Sequence, residues 1–196
     1  VSLCIDHNNK LWVGTYFGGL DCFDGKIFKH FRHNTADTNS LADDRVWDIF
    51  EDTYDNLWIG TFESGMDRFD REKNIFIHYR PGENKSVHAR YVTQIIETKQ
   101  KELWLATAYG IDRLDRNTGE FIHYNNASNR LSNDNIISIL ADSRGYIWAG
   151  SRDGLNVFNA STQKFQSFRT PDGLPDNSIL NILEDDQHNL WISTPN

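Results

Sequence analysis

The chain is poor in cysteine, methionine and proline, with two, one and four among 196 residues, and basic residues are outnumbered, 20 against 28 acidic ones. Two thiols cannot build a disulfide framework. A formal charge of −8 and a pI near 5.3 leave no basic stripe to replace the counterions of a nucleic acid or an anionic membrane. The implied partner is neutral, or another protein. No apolar run approaches the roughly 20 residues that cross a bilayer, so no direct membrane insertion is expected. A charged and then apolar leader is also missing. Because the chain opens and closes inside a repeat unit, these absences say nothing about a longer parent protein. Sustained apolar spacing of three and four is lacking as well, which argues against helices.

What is present is a repeat. Leu57-Trp58-Ile59-Gly60-Thr61, followed by Gly65-Met66-Asp67-Arg68-Phe69-Asp70, returns around Trp12, Trp104, Trp148 and Trp191. Five of the six tryptophans are therefore one position seen at intervals of 46, 46, 44 and 43 residues. A period of that size marks a repeat architecture in which each unit packs mainly on its neighbours.

Within the second copy, Val46–Phe50, Leu57–Thr61, Met66–Phe69 and Ile75–Tyr79 read as short strands separated by turn residues. They do not alternate apolar and polar. Ile49-Phe50, Ile95-Ile96, Ile139-Leu140 and Ile182-Leu183 are adjacent apolar pairs, and adjacent strand residues point to opposite faces, so both faces must be buried. A small antiparallel sheet packed between copies of itself is a β-propeller blade. The fold expected is all-β, one propeller fragment over 1–196, with blades at about 1–33, 44–79, 91–124 and 136–168 and a partial fifth at 178–194. Starting in a first strand and stopping after a second, this partial ring of four blades plus half of a fifth cannot close by sharing strands. The remaining blades of a parent propeller are then its partners, and its open edges favour another copy.

The repeat assigns structural roles. The tryptophans read as wedges between sheets, Gly19, Gly65, Gly110 and Gly154 as turn glycines with positive φ, and Gly14, Gly60, Ala106, Gly150 and Ser193 as room for close blade approach. Cys4 shares its position with Phe50, Ile96, Leu140 and Leu183 and reads as a small buried hydrophobe, whereas Cys22, aligned with Arg68, Arg113 and Val157, reads as a free thiol. His30, His78 and His123 lie on fourth strands of different blades, too far apart to converge on zinc. Acidic stretches such as Glu51-Asp52 and Glu184-Asp185-Asp186 supply turns and lack a calcium-loop pattern. No metal, cofactor or nucleophilic motif is expected.

The strand pattern, the acidic turn, L-W-[IVL]-G-T and G-[LM]-x-x-F-D together resemble the two-component regulator propeller repeat over essentially the whole chain. Ala106 and Leu114 depart mildly from it in the third copy. The resemblance implies a periplasmic sensor region of a homodimeric hybrid sensor histidine kinase, many of which detect oligosaccharides. Residues that break the repeat are the candidate site. Connections into first strands and between second and third strands share one propeller face, where Arg45, Arg90, Tyr91, Asn135 and Asn177 join Tyr16, Phe17, Phe62, Tyr109 and Arg152. Rings that stack on sugar C–H faces, beside Arg and Asn donors, suit an oligosaccharide. A non-catalytic sensor is therefore expected; the alternatives are a purely structural or dimerisation propeller and a polysaccharide-acting enzyme.

Overall fold

The structure, a computed structural model, describes residues 2–195. Val1, the expected opening residue of the first strand, lies outside them, as does Asn196. The chain divides into two compact units, with the division between Ile95 and Ile96. The first unit holds β1 (Ser2–Ile5), β2 (Leu11–Gly14), β3 (Leu20–Phe23) and β4 (Phe28–Phe31), then β5 (Val46–Glu51), β6 (Leu57–Thr61), β7 (Met66–Asp70) and β8 (Ile75–Tyr79). Each set of four is an antiparallel sheet in chain order.

The division falls within β9 (Val92–Glu97), which shares a sheet with β10 (Leu103–Thr107), β11 (Gly110–Asp115) and β12 (Glu120–Tyr124). The second unit continues with the sheet of β13 (Ile136–Ala141), β14 (Ile147–Ser151), β15 (Gly154–Asn159) and β16 (Lys164–Phe168), and the two-stranded sheet of β17 (Asn181–Glu184) and β18 (Leu190–Ser193). The fold is all-β, four propeller blades and part of a fifth. A single turn of helix, α1 (Asn126–Asn129), is capped by the Asn125 side chain.

The acidic turns have a second duty besides turning the chain. Asp52 accepts the amides of Tyr54 and Asn56 at 2.9 and 3.0 Å, and also the Trp58 indole N–H at 2.8 Å. Asp6, Asp142 and Asp185 hold Trp12, Trp148 and Trp191 in the same way, at 2.9, 3.0 and 2.8 Å. One carboxylate thus closes the first hairpin and fixes the wedge. The third copy has no aspartate at this position; Glu102 takes the Trp104 indole instead, at 3.2 Å.

Wedging is visible in the rings. Trp12 packs on Phe31 of its own blade at 5.7 Å and on Phe69 of the next at 5.5 Å; Trp104 packs on Tyr124 at 5.5 Å and on Phe158 at 4.9 Å. Trp12, Trp58 and Trp104 are buried and Trp148 is half-buried, while Trp191, on the two-stranded sheet, is 63% exposed. Close blade approach needs the small residue after the wedge, since a Cβ on Gly14 would sit 2.5 Å from Val46 Cγ1 and one on Gly150 2.6 Å from Ile179 Cγ2. Gly65 (φ +79°) opens β7 so tightly that a Cβ would meet the Tyr79 carbonyl oxygen at 2.3 Å.

Two readings from the sequence change. Cys4 is only half-buried, at the margin of the core, while Leu3 and Ile5 on the opposite face of β1 are exposed; Cys22 is the buried thiol, directly opposite Trp12. The fourth-strand histidines are more than inherited rim residues. Asp67 on β7 faces His78 on β8 in register, and Oδ1 lies 2.6 Å from Nδ1. Asp21 with His30 and Asp112 with His123 repeat the pair at 2.8 Å. Asp67 Oδ2 also accepts the Ala42 amide at 2.8 Å, tying the inter-blade connection to the blade. The bonded carboxylate, opposed by partial burial and by the charge of Arg80, raises the pKa of His78.

Candidate functional site

In the first unit, loops of both blades bring rings together. The Thr15 hydroxyl accepts the Gly18 amide at 2.8 Å and donates to the Gly19 carbonyl, closing a turn that leaves Tyr16 and Phe17 outside it. Phe62 begins the matching turn of the second blade, pinned by its amide on the Arg45 carbonyl at 3.1 Å. A bulge in β5 adds Trp47. Val46 pairs with Thr61 and Asp48 with Gly60, so Trp47 is the extra residue, and its side chain leaves the blade core for the loop side.

Tyr16 lies edge-on to Phe17 at 4.5 Å, to Trp47 at 6.0 Å and to Phe62 at 5.8 Å. Tyr91 closes the group, 5.2 Å from Trp47 and 4.6 Å from Phe62. All of these contacts but the tilted Phe62–Tyr91 pair use ring edges, and Tyr16 remains 39%, Trp47 38% and Phe17 77% exposed. Contiguous patches of exposed rings are characteristic of binding surfaces.

Arg45 borders the platform. Its guanidinium lies 5.1 Å from the Phe62 ring centroid. Nε and Nη2 donate to the two Asp43 oxygens at 3.0 and 2.9 Å, and Nη2 also reaches Glu63 at 2.8 Å. These bonds, that to Asp43 foremost, raise its pKa and keep it charged. Asp43 is in turn fixed by the amides of Arg45 and Glu63, both at 3.0 Å. A groove of about 500 Å³ runs beside the platform, lined by Phe17, His33, Asp43, Asp44, Arg45 and Glu63 among others.

Of the residues singled out by sequence, Tyr16, Phe17, Arg45, Phe62 and Tyr91 come together here. Arg90 precedes Tyr91 as an exposed residue whose carbonyl accepts the Gly65 amide at 2.8 Å. Tyr109 and Arg152 belong to the second unit, where both are exposed. Asn135 accepts the Arg152 amide through its carbonyl at 3.4 Å, and Asn177 donates to Asp153 at 3.4 Å while accepting the Thr170 amide at 2.8 Å. Trp47 was the residue missed by sequence reasoning. Its signal is that it alone among six tryptophans stands outside the repeated Leu-Trp or Ile-Trp phrase, at a position held elsewhere by Thr93, Ile137 and Leu180.

One cluster in the second unit has the composition of a hydrolase triad. Ser143 Oγ lies 2.6 Å from Glu184 Oε1 and 2.8 Å from His188 Nδ1. The same Nδ1 faces Glu184 at 3.2 Å, so serine and carboxylate sit on one side of the ring and no relay through the imidazole exists. The Ser143 amide bonding Glu184 at 2.7 Å repeats the His7 amide on Glu51 at 2.7 Å. This is an inter-blade clasp.

Residues 40–63, 130–153 and 173–196 match the family model described as two component regulator propeller. No curated protein matches the chain. Among solved structures, the extracellular domain of a protein assigned as a hybrid two component system of B. thetaiotaomicron is 26% identical with a TM-score of 0.85, over 98% of this chain and 27% of that one. A second extracellular domain from that organism, assigned to a one component system, is 25% identical with a TM-score of 0.57, over 97% and 34%. The chain therefore spans between about a quarter and a third of these relatives. Virginiamycin B lyase of Staphylococcus aureus, 15% identical with a TM-score of 0.73 over 97% of this chain and 61% of its own, shares the fold alone. The similar extracellular domains agree with the fold, and the three matched segments carry the two-component regulator propeller repeat.

Proposed function

We propose that this chain is a non-catalytic propeller region from the periplasmic sensor of a hybrid two-component regulator, and that it binds an oligosaccharide on its loop face or relays that binding to a histidine kinase. The observation that carries this is the platform of exposed Tyr16, Phe17 and Trp47 with half-buried Phe62 and Tyr91, beside a polar groove. Rings offer flat faces to sugar C–H groups, and bordering carboxylates and amides accept from or donate to hydroxyls. The extracellular setting of the similar domains supports a signal met outside the cytoplasm.

Carboxylate-fixed tryptophans close the first hairpins of the blades. A ligand on the loops would act by favouring one arrangement of the dimeric parent over another, and only by its differential affinity for the two. Calorimetry of this chain and of the complete parental sensor region against a panel of plant and host oligosaccharides tests the reading. Binding by both supports a site on this loop face. Binding by the parent alone would assign the chain to scaffold or dimer interface, and binding by neither would defeat oligosaccharide sensing.

A further inference from the structure

The saccharide reading leaves open what kind of sugar the platform selects, and the charge beside the rings bears on it. The groove lining contains Asp43, Asp44 and Glu63 against one cation, Arg45. Arg45 is committed: Nε and Nη2 serve Asp43, and Nη2 serves Glu63. A carboxylated or sulfated sugar would meet a net negative groove whose guanidinium is already bonded.

The acceptors are less committed. Asp44 uses Oδ1 for the His33 amide at 2.7 Å, which leaves Oδ2. The Glu63 side chain is 59% exposed and is held on one side by Arg45 alone. An ammonium group donates three hydrogen bonds and accepts none. It also gains from the electron-rich faces of tryptophan, tyrosine and phenylalanine rings. Rings and surplus carboxylates side by side therefore favour the same group, whereas a neutral sugar would use the rings and hydroxyl hydrogen bonds but gain nothing from the surplus negative charge.

Resting on the saccharide reading, we infer that this site selects saccharides bearing a free amino group, the amine entering the groove between Glu63 and Asp44 while the sugar faces lie on Trp47, Phe62 and Tyr16. The probes are a glucosamine trimer, its fully N-acetylated counterpart and a trigalacturonate, titrated calorimetrically into the 196-residue chain at low and high salt. The glucosamine trimer is expected to bind at least about tenfold more tightly than the acetylated trimer, with the difference shrinking at high salt, and trigalacturonate to bind most weakly. E63Q should remove most of that preference by weakening the glucosamine trimer several-fold more than the acetylated trimer; an undiminished preference in a folded E63Q would overturn the placement of the amine. Equal or tighter binding of the acetylated trimer would overturn the inference and leave the saccharide reading standing. No binding by any of the three would overturn the inference, and the broader panel would then decide the reading it rests on.

Discussion

The two units use one scaffold and dress it differently. In the first, the residue after the threonine that ends the Leu-Trp phrase is Tyr16 or Phe62, the bulge residue is Trp47, and the residue before the closing valine of the next connection is Tyr91. The corresponding positions of the second unit hold Ala108 and Arg152 after the second strand, Ile137 at the bulge of β13 and Asn135 in the connection. The bulge itself recurs, with Ile136 on Ser151 and Ser138 on Gly150. The backbone device is therefore common property and the aromatic platform is not. Function lives in what is grafted on the frame, so frame residues should govern stability in either unit and loop residues should govern binding in one.

The frame is where the comparison breaks most easily. Trp104 is 1% exposed and Trp191 63%. Trp104→Ala should destabilise by about 3–5 kcal/mol, as for other buried large-to-small changes, and Trp191→Ala by under about 1 kcal/mol; urea unfolding of the two variants measures both. Similar costs would mean that the wedge is not what holds the blades.

Turn glycines give a second contrast. Gly65→Ala places a Cβ against the Tyr79 carbonyl at φ +79°, whereas Gly25 (φ +95°) has nothing within 4 Å of its Cβ position. The first should cost about 2–4 kcal/mol and the second about 1 kcal/mol of left-handed strain, read as the separation of their thermal midpoints.

Asp142 sharpens the role of the acidic turns. Burial pushes its carboxyl up, but the Trp148 indole, the Tyr146 amide and Arg144 outweigh it and hold the pKa below the usual range. A depressed folded pKa contributes stability that is complete above the unfolded value of about 3.9 and is lost as pH falls through the folded one. Asp142→Asn should therefore cost about 2 kcal/mol near neutral pH, and its deficit against the parent chain should shrink below about pH 4. Thermal melts from pH 7 to pH 3 would follow it, and a constant deficit would refute the assignment.

The smallest effect is expected on the loops. Ala108→Phe, which gives the second unit the ring that the first carries as Phe62, should change stability by no more than about 0.5 kcal/mol. A large loss by the same urea assay would mean that loop chemistry and frame are coupled after all.

Much of this was legible in the sequence because the frame is repeated. A residue read five times, such as the wedge tryptophan, declares its role by recurrence, and adjacent apolar pairs such as Ile49-Phe50 declare two buried faces. The carboxylate-to-indole bond was hidden because Asp52 already had a sufficient explanation in the turn it closes. The Asp67–His78 pair was hidden because strand register places residues 11 apart side by side, and spacing along the chain does not reveal that. For the site, the rings of Tyr16, Phe17, Phe62 and Tyr91 stood out as departures from the repeat. Trp47 departs from the repeat as well, but it sits inside a strand, and only the two-against-one pairing of a bulge turns it toward the loops.

The most direct measurement is ligand affinity in a variant that strips the platform and leaves the frame: Tyr16→Ala, Trp47→Ala and Phe62→Ala together, titrated with whichever oligosaccharide the parent chain binds, with a melt as control. Stacked rings are each worth roughly 1 kcal/mol, so affinity should fall by at least about tenfold while unfolding remains cooperative. Undiminished affinity in a folded variant would contradict the assignment of the binding surface to these loops.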